Sequence, residues 1–219
     1  MLKKNLSYLI LIGFLVTSSR ADAQKVWIGY GVDYRMGENI TACLQFENRY
    51  LVDGELSNYK NFAEIALKYK LSPYFRLGGS YRFTLPKSLQ DDINDEEDQN
   101  ERQRYCIDLR GKLPLDRFSL KNRSRYQISL KNDEGIKRFY RNETCLDIHI
   151  DKRTEFYLSN EFFYRIDKHK ITRDIIGFGF DRQLTNRLFI KPYVRVVLSH
   201  PYRSLQSSYI MGAGLYYRI

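Results

Sequence analysis

The chain has 219 residues, with 36 Lys and Arg against 26 Asp and Glu and a formal net charge of +10. Mean hydropathy is −0.51, and past the first two dozen residues no apolar run approaches the roughly 18 residues of a spanning helix, so a helical membrane protein is excluded. Three widely spaced cysteines, Cys43, Cys106 and Cys145, show neither a CxxC nor a Cys/His zinc spacing, which excludes a disulfide framework and a zinc module. They read as small buried thiols, and no metal or other cofactor is expected.

The chain opens with Lys3 and Lys4, an apolar stretch from Tyr8 to Val16, and the small-x-small triplet Ala21-Asp22-Ala23. That pattern predicts a secretory signal peptide over residues 1–23, cut between Ala23 and Gln24; the apolar stretch is about half of what a retained membrane anchor needs. Removing residues 1–23 takes away Lys3, Lys4, Arg20 and Asp22, so the formal +10 falls by two to +8. An exported basic chain has little use for nucleic acid, which leaves lipid headgroups or a basic interior as the destination of that charge. Residues 24–219 suit a single domain.

From there the hydrophobic period is two. Val26, Ile28, Tyr30, Val32 and Tyr34 share one face, with Trp27, Gly29, Gly31 and Asp33 on the other. Next, Ala42, Leu44 and Phe46 alternate with Cys43, Gln45, Glu47 and Arg49; then Ala63, Ile65, Leu67, Tyr69 and Leu71 with Glu64, Ala66, Lys68 and Lys70. Phe75, Leu77, Gly79, Tyr81 and Phe83 oppose Arg76, Gly78, Ser80 and Arg82. The stretch from Pro86 to Gln103 breaks the period and contains DDINDEEDQNE, which reads as a solvated loop; a divalent-cation site is the sharper alternative, although no EF-hand spacing is present.

Alternation resumes with Tyr105, Ile107 and Leu109 against Arg104, Cys106, Asp108 and Arg110, and with Tyr126, Ile128 and Leu130 against Arg123, Arg125 and Gln127. Leu146, Ile148 and Ile150 oppose Cys145, Asp147 and His149, following Arg141 and Glu143; Phe156, Leu158, Phe162 and Tyr164 oppose Glu155, Ser159, Glu161 and Arg165. Three more segments close the chain: Ile176, Phe178 and Phe180 against Gly177 and Gly179; Leu188, Ile190, Val194, Val196 and Leu198 against Lys191 and Arg195; and Tyr209, Met211, Ala213, Leu215, Tyr217 and Ile219 against Gly212, Gly214 and Arg218. The glycines lie inside strand-period segments with no following helix, so close packing or twist explains them better than a nucleotide loop does.

Eleven such segments predict an all-β fold, a single antiparallel up-and-down transmembrane β-barrel of ten to twelve strands. Because single-chain bacterial barrels are normally even-numbered, ten or twelve is the expectation within that range; the Val26–Tyr34 segment would run the wrong way for an N-terminus in the periplasm. Aromatic residues near segment ends, among them Tyr34, Tyr50, Tyr69, Phe83, Tyr105, Tyr164 and Tyr217, fit the girdles that meet lipid headgroups. Short connections at Leu71–Tyr74, Pro114–Arg117 and Asp151–Thr154 fit periplasmic turns, which puts the acidic stretch outside the cell. The chain is therefore expected in the bacterial outer membrane, as a monomer in contact with lipid. A water-soluble periplasmic barrel is the main competing fold, and it would have to bury the aliphatic faces of all eleven segments in one small core.

The Trp27 segment, Leu44-Gln45-Phe46-Glu47-Asn48-Arg49, Ala66-Leu67-Lys68-Tyr69-Lys70-Leu71 running into Leu77-Gly78-Gly79-Ser80-Tyr81-Arg82-Phe83, Arg123-Ser124-Arg125-Tyr126 and the glycine-rich aromatic last segment together resemble the outer-membrane barrels of domain-of-unknown-function family 2490. The likeness runs over nearly all of residues 24–219. It implies export and a barrel, and it brings no functional residues with it.

In such a barrel the polar faces line the lumen: Glu47, Arg49, Glu64, Arg76 and Arg82 early on, then Arg104, Asp108, Arg110, Arg123 and Arg125, then Arg141, Glu143, Asp147, His149, Glu161 and Arg165, and last Lys191 and Arg195. Ion pairs across strands can fill a narrow lumen, giving a plugged structural barrel. The surplus of basic residues equally fits a small channel favouring anions. A non-enzymatic role follows from either. The contrasting function is a membrane-embedded lipid hydrolase or deacylase working through His149, beside Asp147, although no His-x-Ser-Asn spacing accompanies it; His200 beside Pro201 reads as loop.

Overall fold

The computed structural model describes residues 24–53, 55–86, 101–131, 135–200 and 206–219. The expected leader at 1–23, including Ala23, and residues 87–100 of the acidic stretch, with its candidate cation ligands, lie outside the described residues. Among the described residues there are eleven strands: β1 (Gln24–Met36), β2 (Ile40–Asp53), β3 (Glu55–Lys70), β4 (Phe75–Pro86), β5 (Glu101–Leu115), β6 (Phe118–Lys131), β7 (Gly135–Asp151), β8 (Thr154–Arg165), β9 (Lys170–Gln183), β10 (Leu188–Ser199) and β11 (Gln206–Arg218). A single 3-10 turn, Ile166–Lys168, links β8 to β9.

The strands form one closed barrel in which each pairs antiparallel with the next and β1 closes on β11 in parallel, from Gln24↔Tyr209 to Asp33↔Arg218. The count corrects the refinement to ten or twelve. In an up-and-down run the first and last strands point the same way whenever their number is odd, so eleven strands close only through one parallel pair. That seam also accounts for the direction of β1, whose start lies at the opposite end of the barrel from Ile219. Hydrogen bonds from Arg35 N to Ile219 O (3.2 Å) and from Ile219 N to Asp33 O (2.9 Å) carry the seam to its end.

One end of the barrel is built from short turns whose sequences fix them locally. Gly37, in the β1–β2 turn, has φ +85°, a region that only glycine enters without strain. Asp116, in the two-residue β5–β6 turn, has φ 43°, which Asp tolerates better than most residues. Side-chain oxygens bind the free backbone donors of the other turns: Ser72 Oγ accepts from Phe75 N (3.1 Å), Asp151 Oδ1 from Arg153 N (2.7 Å) and Thr185 Oγ1 from Leu188 N (3.1 Å).

Alternation sorts the side chains inside out compared with a protein folded in water. On the outer face Ile65, Leu67, Ile107 and Ile150 are 58, 56, 62 and 65% exposed, whereas on the inner face Asp108 and Asp147 are each 2% exposed. Burying apolar area is worth about 25 cal/mol per Å², so an outer surface of this kind is stable only against hydrocarbon or another apolar body. The water-soluble alternative, which needed those aliphatic faces in its core, does not fit this arrangement. Facing residues also pair across the outer wall, with Tyr30 stacked on Phe46 at 5.6 Å and Tyr81 against Tyr105 at 5.0 Å between ring centroids. Strands of 12 to 17 residues rise roughly 30 to 43 Å at about 3.3 Å per residue and about 40° of tilt. They are longer than the apolar band of about 25 Å, so both rims project beyond it.

Candidate functional site

The lumen wall from β3 to β8 is a net of charged side chains. Simple register would create conflicts, because Arg125 faces Arg141, Arg82 faces Arg104 and Glu143 faces Glu161. Like charges directly opposite repel, and long side chains escape by reaching diagonally. Arg141 donates to Glu161 from Nη2 at 2.8 Å and from Nε at 3.1 Å, and its Nη1 reaches Gln127 at 2.8 Å. Arg123 spans two strands, holding Glu143 and Glu161 each at 2.9 Å. Asp108 takes both arms of Arg125, Nη2 at 2.9 Å and Nε in closer contact, together with Arg110 at 2.9 Å. Arg82 meets Glu64 directly across β3 and β4 at 2.7 Å. Nearer the short turns Asp147 collects Ser119 (2.8 Å), Cys145 (3.4 Å) and Lys121.

The rest of the lumen is lined differently. On β9, β11 and β1 glycines leave room for tyrosine rings to lie flat on the wall. A Cβ built at Gly212 would stand 2.2 Å from the Tyr193 ring, one at Gly214 would meet Tyr216 at 2.5 Å, and one at Gly179 would meet the Pro192 carbonyl at 2.4 Å and the Tyr157 hydroxyl at 2.8 Å. Beyond the rings Trp27, Phe163, Ile175, Val197 and Ile210 form an apolar cluster inside the barrel.

Arginines join the two linings by stacking on aromatic rings. Arg49 lies 3.7 Å from the Trp27 ring centroid and 4.9 Å from that of Phe62, Arg82 lies 3.8 Å from Phe62, and Arg141 lies 4.1 Å from Phe163. A guanidinium can stack on a ring while its in-plane N–H groups hold carboxylates, so one side chain serves both contacts. Arg49 does this with Glu47 at 2.8 Å. Arg195 packs on Tyr193 at 4.5 Å.

The expected lumen residues fall into three groups. Glu47, Arg49, Glu64, Arg82, Arg104, Asp108, Arg110, Arg123, Arg125, Arg141, Glu143, Asp147, Glu161 and Arg195 lie in the interior. Arg165 is buried near the far end, with Asp167 as its partner at 2.9 Å; Lys191 lies near the short turns, 2.5 Å from Asp181. Arg76 shares their parity yet is exposed at the short-turn rim. His149 Nδ1 sits 3.1 Å from Glu155 and is well removed from full burial; His200 Nε2 sits 2.9 Å from Asp174. Among the described residues neither histidine holds a serine or threonine hydroxyl, and no three His, Cys, Asp or Glu side chains converge as metal ligands would. The aromatic and apolar part of the lining, Trp27, Phe62, Phe163 and the three tyrosines, is what a search for polar residues misses. Strict parity finds it, because each of these shares a face with a buried charge or a glycine.

Near the short-turn end the lumen opens into a cavity of about 220 Å³, walled by Asp33, Gln45, Lys68, Arg110 and Lys191 together with Phe189, Tyr216, Tyr217 and Arg218.

Geometry of this kind defines a class: a closed, inside-out β-barrel with a charged and tightly packed lumen. Residues 24–196 match the family described as "Protein of unknown function (DUF2490)", and the chain belongs to that family. Among solved structures the chain is similar to the KdgM porin, at 16% identity over 76% of this chain and 80% of that one, with a TM-score of 0.48. It is also similar to the NanC porin, at 13% identity over 84% and 95% with a TM-score of 0.48, and to the anion-selective porin from Comamonas acidovorans, at 10% over 80% and 56% with a TM-score of 0.41. No curated protein matches the sequence.

Proposed function

We propose that this protein is a non-enzymatic barrel of the bacterial outer membrane whose lumen is sealed by its own side chains. In this reading residues 1–23 direct export and leave Gln24 as the first residue, the barrel stands in lipid as a monomer, and the short turns face the periplasm. The aliphatic outer face supports a lipid-embedded barrel, and among the described residues His149 pairs with Glu155 and with no hydroxyl. The observation that carries the sealed lumen is the burial of charges in mid-wall: Asp108 is 2% exposed and Arg125 4%, and each is held by protein partners rather than left for water. The lining of a water-filled pore is wet, and polar groups there need not be paired with one another.

The test is conductance across a planar bilayer. Wild-type protein is expected to insert without steady channel current, and the double variant Arg125→Ala/Arg141→Ala, which empties the middle of the net, to conduct. Steady single-channel current from the wild type overturns the sealed lumen and leaves the small anion-favouring channel as the reading.

A further inference from the structure

The cavity at the short-turn end has a composition that the sealed middle does not explain. Its wall carries four cations, Lys68, Arg110, Lys191 and Arg218, against one carboxylate, Asp33. Two cations are partly neutralised from behind: Lys191 by Asp181 at 2.5 Å, and Arg110 by Asp108, a carboxylate it shares with Arg125. Lys68 stands 3.9 Å from Asp33, at the limit of an ion pair and too far for a hydrogen bond. The Arg218 guanidinium stacks on Phe189 at 4.5 Å, a contact that uses its face and leaves its N–H edge for another acceptor. Arg110 Nε has no hydrogen-bond partner. Donors therefore outnumber acceptors on this wall, and positive charge outnumbers negative.

Local backbone chemistry keeps the space open. Pro192 has no N–H to give, and β9 and β10 have no paired residues between Ile190 and Tyr193, beside Lys191. Two strands further along the wall, on β1, a Cβ at Gly31 would stand 2.9 Å from the Leu44 carbonyl, 3.1 Å from Gln45 and 3.2 Å from Tyr216, so glycine there lets both side chains lie close to the backbone. Exposed Arg76, Lys112 and Arg117 surround the same end and raise the local concentration of anions.

We propose that this cavity binds a small oxyanion carrying two negative charges, of the phosphate or phosphate-monoester class. Its volume, equal to about seven waters, holds such a group with a short substituent and is too small for a nucleotide. Guanidinium edges and an ammonium converging on one space suit a tetrahedral oxyanion with several acceptor oxygens. The site rests on the sealed-lumen reading in one respect: a closed middle makes it a blind pocket instead of a station along a pore. The same phosphate chemistry has two sources, a free solute and the headgroup of an anionic lipid.

The experiment is calorimetric titration of the refolded full chain in nonionic detergent at low salt, with inorganic phosphate and glycerol phosphate. Saturable binding is expected with Kd on the order of 1 mM or tighter. Lys68→Gln and Arg218→Gln should each weaken it about tenfold, a loss of about 1.4 kcal/mol, since each removes a charged donor from the wall; Arg153→Gln, at the same end but outside the cavity, should change it less than about twofold. The heat-dependent shift in gel mobility reports which variants fold, and either cavity variant alone suffices. Absence of saturable binding, or equal losses from Arg153→Gln and the cavity variants, overturns the site. In nanodiscs, phosphatidylglycerol that blocks the phosphate titration where phosphatidylcholine does not identifies the headgroup as occupant; equal titration in both identifies the free solute. Wild-type conductance together with intact phosphate binding would overturn the seal and leave the site standing.

Discussion

From β3 to β8 the lumen is held by guanidiniums and carboxylates that neutralise one another; from β9 through β11 to β1 it is held by tyrosine rings on glycines and by an apolar cluster, to which β8 adds Tyr157 and Phe163. Both halves follow the same alternation and both fill the same cylinder, yet they do so by opposite physics. In the first half each side chain depends on a partner of opposite charge, because an ion out of water is costly unless it is paired. In the second half the wall itself is thinned to admit the ring, and the packing depends on shape. The parallel seam falls in the second half, where Trp27 faces Gly212, Gly29 faces Gly214 and Gly31 faces Tyr216. Parallel pairing is slightly weaker per residue, and here rings packed over the glycines reinforce it from inside.

The comparison breaks most decisively in the charged half. Asp108→Ala leaves Arg125 buried without its carboxylate and is expected to cost about 3–5 kcal/mol, the range for breaking one side of a buried pair. Urea unfolding of the refolded barrel, followed through the single tryptophan, Trp27, measures it. Asp108→Leu combined with Arg125→Met should recover most of that loss, because the cost lies in the orphaned charge. A single-variant loss below about 1 kcal/mol would mean that water reaches this layer, and the contrast between the halves would disappear.

Shape should dominate in the other half, and two glycines separate ring from wall. Gly179→Ala drives a methyl into the Pro192 carbonyl on β10, a backbone atom that cannot swing aside, and is expected to cost about 1–3 kcal/mol. At Gly212→Ala the three atoms nearest the new methyl all belong to the Tyr193 ring, which can swing aside, and the cost should be less, about 1 kcal/mol. In a double-mutant cycle Tyr193→Leu should remove the penalty at Gly212 and leave the penalty at Gly179 in place. Equal costs at the two positions would show that the ring is as fixed as the backbone.

Which of these features could be read beforehand follows from what a period of two encodes. It states which face a residue occupies, and that was enough to place Ile65 outside and Glu64 inside, to count eleven segments, and to set Trp27 and Asp33 together on the inner face of β1. It does not encode how a barrel closes. The even-number rule supplied ten or twelve because it assumes antiparallel closure, while the parallel pairing of β1 with β11 depends on residues nearly two hundred positions apart. The diagonal escape of Arg141 to Glu161 was equally illegible, since alternation places both inside without saying which of several carboxylates a long side chain reaches. The tyrosine rings were legible in part: the glycines at 179, 212 and 214 pointed to close packing, but Tyr157, Tyr193 and Tyr216 carry no mark that distinguishes them from girdle aromatics except parity.

The smallest effect belongs outside both halves, at the turn between β8 and β9, where Asp167 takes Arg165 Nε at 3.0 Å. Partial burial pushes the carboxyl of Asp167 up, but the hydrogen bond from Arg165 and the backbone donors outweigh it, and the group is held below the usual carboxylate range. A carboxylate whose affinity for protons falls on folding adds stability that is present above its unfolded value of about 3.9 and is lost as the pH drops through the lower folded value. The pair is partly open to solvent, so its worth is at most about 1 kcal/mol. Asp167→Asn should therefore be slightly less stable than wild type at neutral pH, and the gap should close in acid below that window. A gap that persists unchanged in acid would mean that Asp167 acts through the shape of the turn and not through its charge.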